Sequence, residues 1–441
     1  MSTTRRIQLI LPVLFAVLSP AILLNDYFSG NWYSFFHSYS LGMFFGLPAF
    51  TWFCIVLVLA CRIRIFDKLY GHDRVIIFHG YLAFSALLFA LTHAILKFKY
   101  FGLEGTQVLL GISSLALYFM ITIVTCFLMI HGLSNRLRIL NSFRNYAQRK
   151  WGVDYSGLKF LHNGLSIAAA LMVAHVLMAS STNEKNSRIV MIWVFGCTGL
   201  SFYVYHKLIR PLILWRRSLY LRENRPLNDT VVELSIAPVP RPFANARAGQ
   251  FAYIRLISSR CGWEEHPFTI SSPPGSSSIS LTIKDLGNYT HSLKEVELGT
   301  RVLLDGPYGI FNPRDLNSPH LFVAGGIGIT PFLSIIRDMD NKKITTPVTL
   351  IWSARSKNDF VYDDILRDIA SRNKWFRYVS LVSDDGQFVT REILENLFDK
   401  NDILKVQVFF CGPDPMRRAV QKITREAGLP GSAFHFERFA F

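Results

Sequence analysis

HGYLAFSALLFALTH, residues 79–93, and HNGLSIAAALMVAH, residues 162–175, decide how this chain is read. Each is a largely apolar run closed at both ends by histidine. His79 and His93 are fourteen positions apart, and His162 and His175 thirteen. A helix rises about 1.5 Å per residue, so each pair would be spread about 20 Å along a helix axis. An imidazole inside a bilayer is costly and usually functional, and neutral imidazole is a good iron ligand. Two helices with two such levels could hold two stacked haems, each gripped from both sides. At about 100° per residue, fourteen positions return to within about 40° of the same face, whereas thirteen miss it by about 140°. The second stretch must therefore be locally distorted or present its histidines at different angles. His37, His72, His131 and His206 have no matched partners and read as interfacial.

Six apolar runs, near 7–24, 40–61, 75–97, 108–131, 157–180 and 189–209, read as membrane-spanning helices. The first follows Arg5-Arg6 but no small-x-small cleavage site follows it, so it reads as a retained anchor. With the N-terminus inside, Arg62, Arg64, Lys68, Arg74, Arg136, Arg138, Arg144, Arg149, Lys150, Lys207 and Arg210 fall on the cytoplasmic side. Lys97, Lys99, Lys185 and Arg188 fall outside, the asymmetry expected of positive-inside insertion. In this orientation His79 and His162 form an inner pair, and His93 and His175 an outer pair. Residues 134–156 interleave bases with Leu, Phe, Tyr and Trp, as an interfacial amphipathic helix would.

Composition agrees with a chain partly embedded in lipid. Half of its 441 residues are hydrophobic and 14% aromatic. Residues 1–214 hold eighteen Lys and Arg against six Asp and Glu, so the excess base lies in the apolar half. Its partner there is anionic lipid headgroup, and nucleic acid is excluded. The six cysteines include no CxxC and no CxxCH, so any haem is b-type rather than covalently attached.

From about Arg216 the pattern changes. Short alternating strands at Val231–Ile236, Phe251–Leu256, Ser278–Ile283 and Arg301–Leu304 suit an antiparallel barrel. After about Asn317 the order strand, glycine turn, helix, strand is a βαβ signature. His266-Pro267-Phe268-Thr269-Ile270-Ser271-Ser272-Pro273-Pro274 resembles the flavin signature of the ferredoxin–NADP reductase superfamily, and Ile283-Lys284-Asp285-Leu286-Gly287-Asn288-Tyr289-Thr290 its pyrophosphate segment. Gly287 would let backbone approach the phosphates, Lys284 would offset their charge and Thr290 would donate a hydrogen bond. Gly325-Gly326-Ile327-Gly328-Ile329-Thr330-Pro331 lies between the strand Leu321–Val323 and a helical stretch, a ready phosphate cradle. Ser353 and Arg355 end the next strand, where arginine could pair with the 2′-phosphate of NADPH, with NADH the alternative donor. Cys411-Gly412-Pro413 follows the strand Val406–Phe410. In the superfamily this motif lies beside the nicotinamide, and a terminal aromatic, here Phe441, stacks on the flavin.

Together these residues resemble the ferric reductase/NADPH oxidase (NOX) family over almost the whole chain, and the fourteen-and-thirteen histidine spacing is itself that family's pattern. The resemblance implies a multi-domain membrane protein with N- and C-termini in the cytoplasm of the plasma or inner membrane. Residues 1–212 would be a six-helix di-haem bundle, 213–316 an antiparallel β-barrel binding FAD, and 317–441 an α/β domain binding NADPH. It further implies a minimal, prokaryotic-type member without EF-hands ahead of the first helix. Electrons would pass from NADPH through FAD and two b haems to O₂, giving superoxide outside. The alternatives are a ferric-chelate reductase and an electron donor to a periplasmic or extracellular redox protein.

Overall fold

A computed structural model describes residues 3–29, 34, 36–102, 104–129, 142, 146, 155–217, 219–313, 316–398 and 404–437. Most of the helix expected over 134–156, and the terminal Phe441, lie outside the described residues. The chain divides into two compact units, with the boundary between Pro211 and Leu212.

The first unit is helical: α1 (Thr3–Phe28), α2 (Ser38–Leu59), α3 (Arg64–Tyr70), α4 (His72–Phe101), α5 (Thr106–Met129), α6 (Tyr155–Asn163), α7 (Leu165–Leu177) and α8 (Asn186–Val204). A π-turn at Tyr205–Ile209 carries α8 on into the helical segment Arg210–Trp215. Among the described residues, six helical stretches are long and apolar enough to cross a membrane. Their outward faces are apolar too, with Phe84 62% and Ile95 64% exposed, whereas Ala86, Ala168 and Ala169 are buried inside. A helix hydrophobic all round suits burial or lipid, not water. Small residues let helices approach: a Cβ at Gly199 of α8 would come within 3.0 Å of the Cys54 carbonyl oxygen of α2. Tyr118 Oη donates to Ala83 O at 2.6 Å, and Ser114 Oγ to Ala168 O at 2.7 Å, binding α5 to its neighbours. Arg188, assigned to the outer side by sequence, is buried against Asp26, Glu184 and the Tyr27 ring.

Of the two ways to accommodate the thirteen-residue spacing, the structure has a local distortion. The fifth apolar run is two helices joined at Gly164, where Gly164 N donates to Leu161 O at 2.9 Å and Ile167 N to Gly164 O at 3.0 Å. These are i→i+3 bonds, which advance about 120° per residue and recover part of the angular deficit between His162 and His175.

The second unit begins with six antiparallel strands: β1 (Leu219–Pro226), β2 (Val231–Ala237), β3 (Phe251–Leu256), β4 (His266–Thr269), β5 (Ile279–Lys284) and β6 (Arg301–Tyr308). Their order is β4-β3-β6-β1-β2-β5. The two edge strands meet at the Ile270–Leu281 bridge and enclose a core of Leu221, Leu234, Ile254, Leu281 and Leu304. Five parallel strands follow: β7 (His320–Gly325), β8 (Val348–Ala354), β9 (Phe376–Val382), β10 (Gln407–Cys411) and β11 (Phe434–Glu437), ordered β11-β10-β7-β8-β9. Helices α9 (Thr330–Asn341), α10 (Asp363–Arg372) and α11 (Asp414–Glu426) connect them. Because β10 returns to the far side of β7, the strand order reverses between these two. That switch point is where open α/β sheets bind ligands.

Candidate functional site

The nucleotide motifs converge on the switch point. Gly325-Gly326-Ile327-Gly328 leaves the carboxyl end of β7, and Cys411-Gly412-Pro413 leaves that of β10 beside it. The two turns touch backbone to backbone: a Cβ at Gly328 would come 2.2 Å from Cys411 O, and one at Gly412 2.9 Å from Gly325 Cα. Met416 closes on Gly325 from α11, a contact that no sequence motif flagged. Gly326 sits at φ +54°, and its carbonyl accepts from the buried Trp352 Nε1 at 2.9 Å. Thr330 begins α9, with Oγ1 donating to Ile327 O at 3.2 Å, and Pro331 occupies the helix's first turn. The amide-rich start of α9 therefore faces the cleft, which favours phosphate. Ser353 lies at the end of β8 and Arg355 just beyond it, exposed.

The flavin signature forms β4 and the turn after it. Phe268 and Tyr289 lie within 14° of parallel, and Tyr289 stacks on the His266 ring at 3.9 Å. His266 Nε2 is 2.7 Å from Glu264 Oε2, and Pro267 pairs with Tyr253 of β3. Ser272 Oγ accepts from Ser280 N, and Ser272 O accepts from Ser334 Oγ of α9. Thr269 Oγ1, Tyr289 Oη and Arg255 Nε are buried with no hydrogen-bond partner among the described residues. Unpaired buried polar atoms are rare, and a flavin dinucleotide would supply partners for them. Burial pushes the Tyr289 phenol up, so it stays protonated.

Two residues expected to touch phosphate are engaged elsewhere. Lys284 Nζ lies 2.9 Å from Asp359 Oδ1. Burial pushes the Asp359 carboxyl up, but Lys284 and the Ser356 amide outweigh it and leave it below the usual range. Thr290 Oγ1 accepts from Leu286 N and Gly287 N and donates to Gly287 O, fastening the turn that holds Asn288. Beside this segment, Arg255 of β3 is a half-buried cation with a buried Nε that sequence reasoning missed, because one arginine in a strand carries no motif.

In the helical unit the histidines meet in pairs. The His79 and His162 ring centroids are 6.4 Å apart, as are those of His93 and His175. Two imidazoles each about 2 Å from a shared metal would have centroids about 6 Å apart. His79 Nδ1 is 3.1 Å from Val56 O, His93 Nδ1 2.6 Å from Gly42 O and His175 Nδ1 2.8 Å from Gln107 O. A carbonyl only accepts, so in these three rings Nδ1 carries the proton and Nε2 keeps its lone pair, as a metal-binding imidazole requires. His162 Nδ1 is buried with no partner among the described residues. At the outer level each ring lies against a glycine one turn past the accepting carbonyl. A Cβ at Gly46 would come 2.6 Å from His93 Nδ1, and one at Gly111 2.7 Å from His175 Nδ1. No cluster of three metal-ligating side chains occurs among the described residues, and a porphyrin iron asks only two ligands of the protein. The paired residues fit a haem.

Residues 221–312 match an FAD-binding domain family, and residues 322–422 the oxidoreductase NAD-binding domain family. No transmembrane haem-domain family is detected. The electron transfer component of 2-halobenzoate 1,2-dioxygenase from Burkholderia cepacia is 28% identical over 224 residues, 48% of this chain and 64% of its own. The reductase component of propane 2-monooxygenase from Rhodococcus jostii is 27% identical over 229 residues, 48% of this chain and 61% of its own. The chain thus spans less than two thirds of the length of these curated relatives. Among solved structures, the FAD/NAD-binding domain of a nitric oxide dioxygenase from Vibrio cholerae is 19% identical with a TM-score of 0.43, covering 50% of this chain and 97% of its own. The matched segments carry the two domains of an NAD(P)H-dependent FAD oxidoreductase.

Proposed function

We propose that this chain is a transmembrane NADPH oxidase that moves electrons from cytoplasmic NADPH, by way of FAD and two b haems, to O₂ on the outer side as superoxide. The observation that carries this reading is the pair of 6.4 Å histidine pairs at two levels of an apolar bundle, in one chain with FAD- and NAD-binding domains. The exposed apolar helix faces and the excess of base on the assigned inner loops support a multi-pass protein of the plasma or inner membrane with both termini inside.

The chain's residues divide the task. Gly325, Gly326, Gly328 and the start of α9 would take the NADPH phosphates, with Ser353 and Arg355 near the 2′-phosphate. Cys411-Gly412-Pro413 would hold the nicotinamide end. His266, Pro267, Phe268, Thr269, Ser272 and Tyr289 would line the flavin, with Gly287, Asn288, Thr290 and Arg255 toward its phosphates. His79 with His162 would hold one haem, and His93 with His175 the other. When bound, the cofactors supply the redox chemistry, and the protein positions and tunes them.

Anaerobic reduction of the purified protein by NADPH, followed by air, tests the proposal. A bis-histidine b-haem spectrum that reoxidises rapidly, with dismutase-sensitive cytochrome c reduction, is the expected result. A wild-type protein without haem would overturn it. The relatives named as electron transfer components favour a second reading, an electron donor to a separate redox protein. That reading expects the haem spectrum without superoxide, and dismutase-insensitive reduction of ferric chelates would point instead to a chelate reductase.

A further inference from the structure

The loop that follows β8, residues 355–362, is tied to the barrel rather than left at the sheet edge. Tyr362 Oη donates to Glu233 Oε2 at 2.6 Å and lies 2.6 Å from Thr282 Oγ1, which is itself 2.9 Å from Ser271 Oγ in the flavin signature. Tyr362, Thr282 and Ser271 are all buried, and Glu233 and Thr282 are direct cross-strand partners on β2 and β5. Two further bonds close the same seam, Lys284 to Asp359 at 2.9 Å and Asn228 Nδ2 to Asn358 O at 2.7 Å. A chain of hydroxyls therefore runs from the flavin-binding turn to the far end of the loop that leaves β8 at Ser353 and Arg355. Burial and the Glu233 carboxylate push the Tyr362 phenol up, so its proton stays in place as a donor.

We propose that the Tyr362–Glu233–Thr282–Ser271 chain is a positioning device that fixes the dinucleotide-contacting loop against the flavin barrel, and so sets the alignment for hydride transfer without belonging to either binding pocket. The proposal rests on the reading that this loop meets NADPH. In the step concerned a hydride would leave NADPH, which becomes NADP⁺, and add to FAD to give FADH⁻, the single further proton of FADH₂ coming from solvent. Small misplacements of reacting groups cost up to about 100-fold in rate. A seam that loosens without dissolving should therefore be felt in the limiting rate more than in affinity.

The test is anaerobic stopped-flow flavin bleaching in the full-length protein, across NADPH concentrations, with FAD content measured in parallel. Tyr362→Phe removes the hydroxyl and keeps the packed ring. It is expected to lower the limiting rate about tenfold while FAD content and apparent NADPH affinity change less than about twofold. Glu233→Gln keeps an acceptor oxygen and should recover most of the rate, whereas Glu233→Ala should not. Thr282→Val provides a second break in the chain should Tyr362→Phe fail to fold, and is expected to slow the rate in the same way. A limiting rate unchanged in both Tyr362→Phe and Thr282→Val would overturn the proposal, as would a loss traced wholly to missing FAD or weakened NADPH binding. Wild-type flavin that NADPH and NADH both leave oxidised would instead overturn the assignment of the nucleotide site.

Discussion

Gly328 and Gly326 lie two residues apart and are constrained for different reasons. A Cβ at Gly328 would stand 2.2 Å from the Cys411 carbonyl oxygen, which is backbone and cannot turn away. Alanine there must pry the β7 turn from the β10 turn. Gly326 has φ +54° and nothing within 4 Å of where a Cβ would go, so alanine there costs only left-handed backbone strain, about 1–2 kcal/mol. Gly328→Ala should therefore weaken NADP⁺ binding by well over tenfold while FAD stays bound, and Gly326→Ala by about tenfold or less. Equilibrium titration of the flavin difference spectrum measures both. Equal effects would mean that the close approach of the two turns does not matter. The same scale shows how charges pair. Lys284 sits in a recognisable segment and drew the phosphate assignment, and its ammonium is paired with Asp359, seventy-five positions away in sequence. Arg255 Nε is buried with no partner among the described residues, and Arg255 sits in no motif at all. Sequence displays the type and order of charges, but their pairing is a property of the fold.

At the scale of elements, periodicity exposed the one real conflict. Spacing in α4 is compatible with a straight helix, while that between His162 and His175 is not, and the chain breaks at Gly164 between them. The helices were legible because apolar runs of this length have few other uses. Their inner surfaces were not, because a glycine in an apolar run does not say what leans on it. Gly46 and Gly111 are such cases: each receives an imidazole, and the accepting carbonyls belong to Gly42 and Gln107, one turn earlier on the same helices. This arrangement recurs on α2 and α5 and is confined to the outer pair. On the proposed two-haem reading, Gly46→Ala and Gly111→Ala should thus each disturb the His93–His175 level alone, lowering haem per polypeptide from about two toward one and leaving the spectrum of the haem proposed at His79–His162 intact. Pyridine haemochrome content with low-temperature absorption measures this. Loss of both haems together, or of neither, would contradict selective docking.

Across the whole molecule, the order of parts could be read because each obeys a different period: helical runs first, short alternating strands next, and strand–turn–helix units last. The boundaries were less sharp, since β4 is only four residues long and β1 begins four residues beyond the helical segment ending at Trp215. What the parts do jointly depends on sidedness. NADPH is a cytoplasmic reductant, so the proposed direction of electron flow requires the reductase half inside. The basic residues predict that arrangement: Arg62, Arg64 and Lys68 crowd the segment between α2 and α4 and Arg74 lies in the first turn of α4, whereas the α4–α5 connection carries only Glu104 as a charged residue. Like charge is held on the cytoplasmic side during insertion, and the bias is set by such short loops. Alkaline phosphatase fused after Gly105 should accordingly be active, and fused after Gly71 or at the C-terminus at least about tenfold less so, with expression checked by blot. Replacing Arg62, Arg64 and Lys68 by glutamine should narrow that contrast, because these bases then no longer anchor the loop. The reverse pattern, with activity at the C-terminus, would place the nucleotide cleft on the side without NADPH and defeat the oxidase reading whatever the histidines hold.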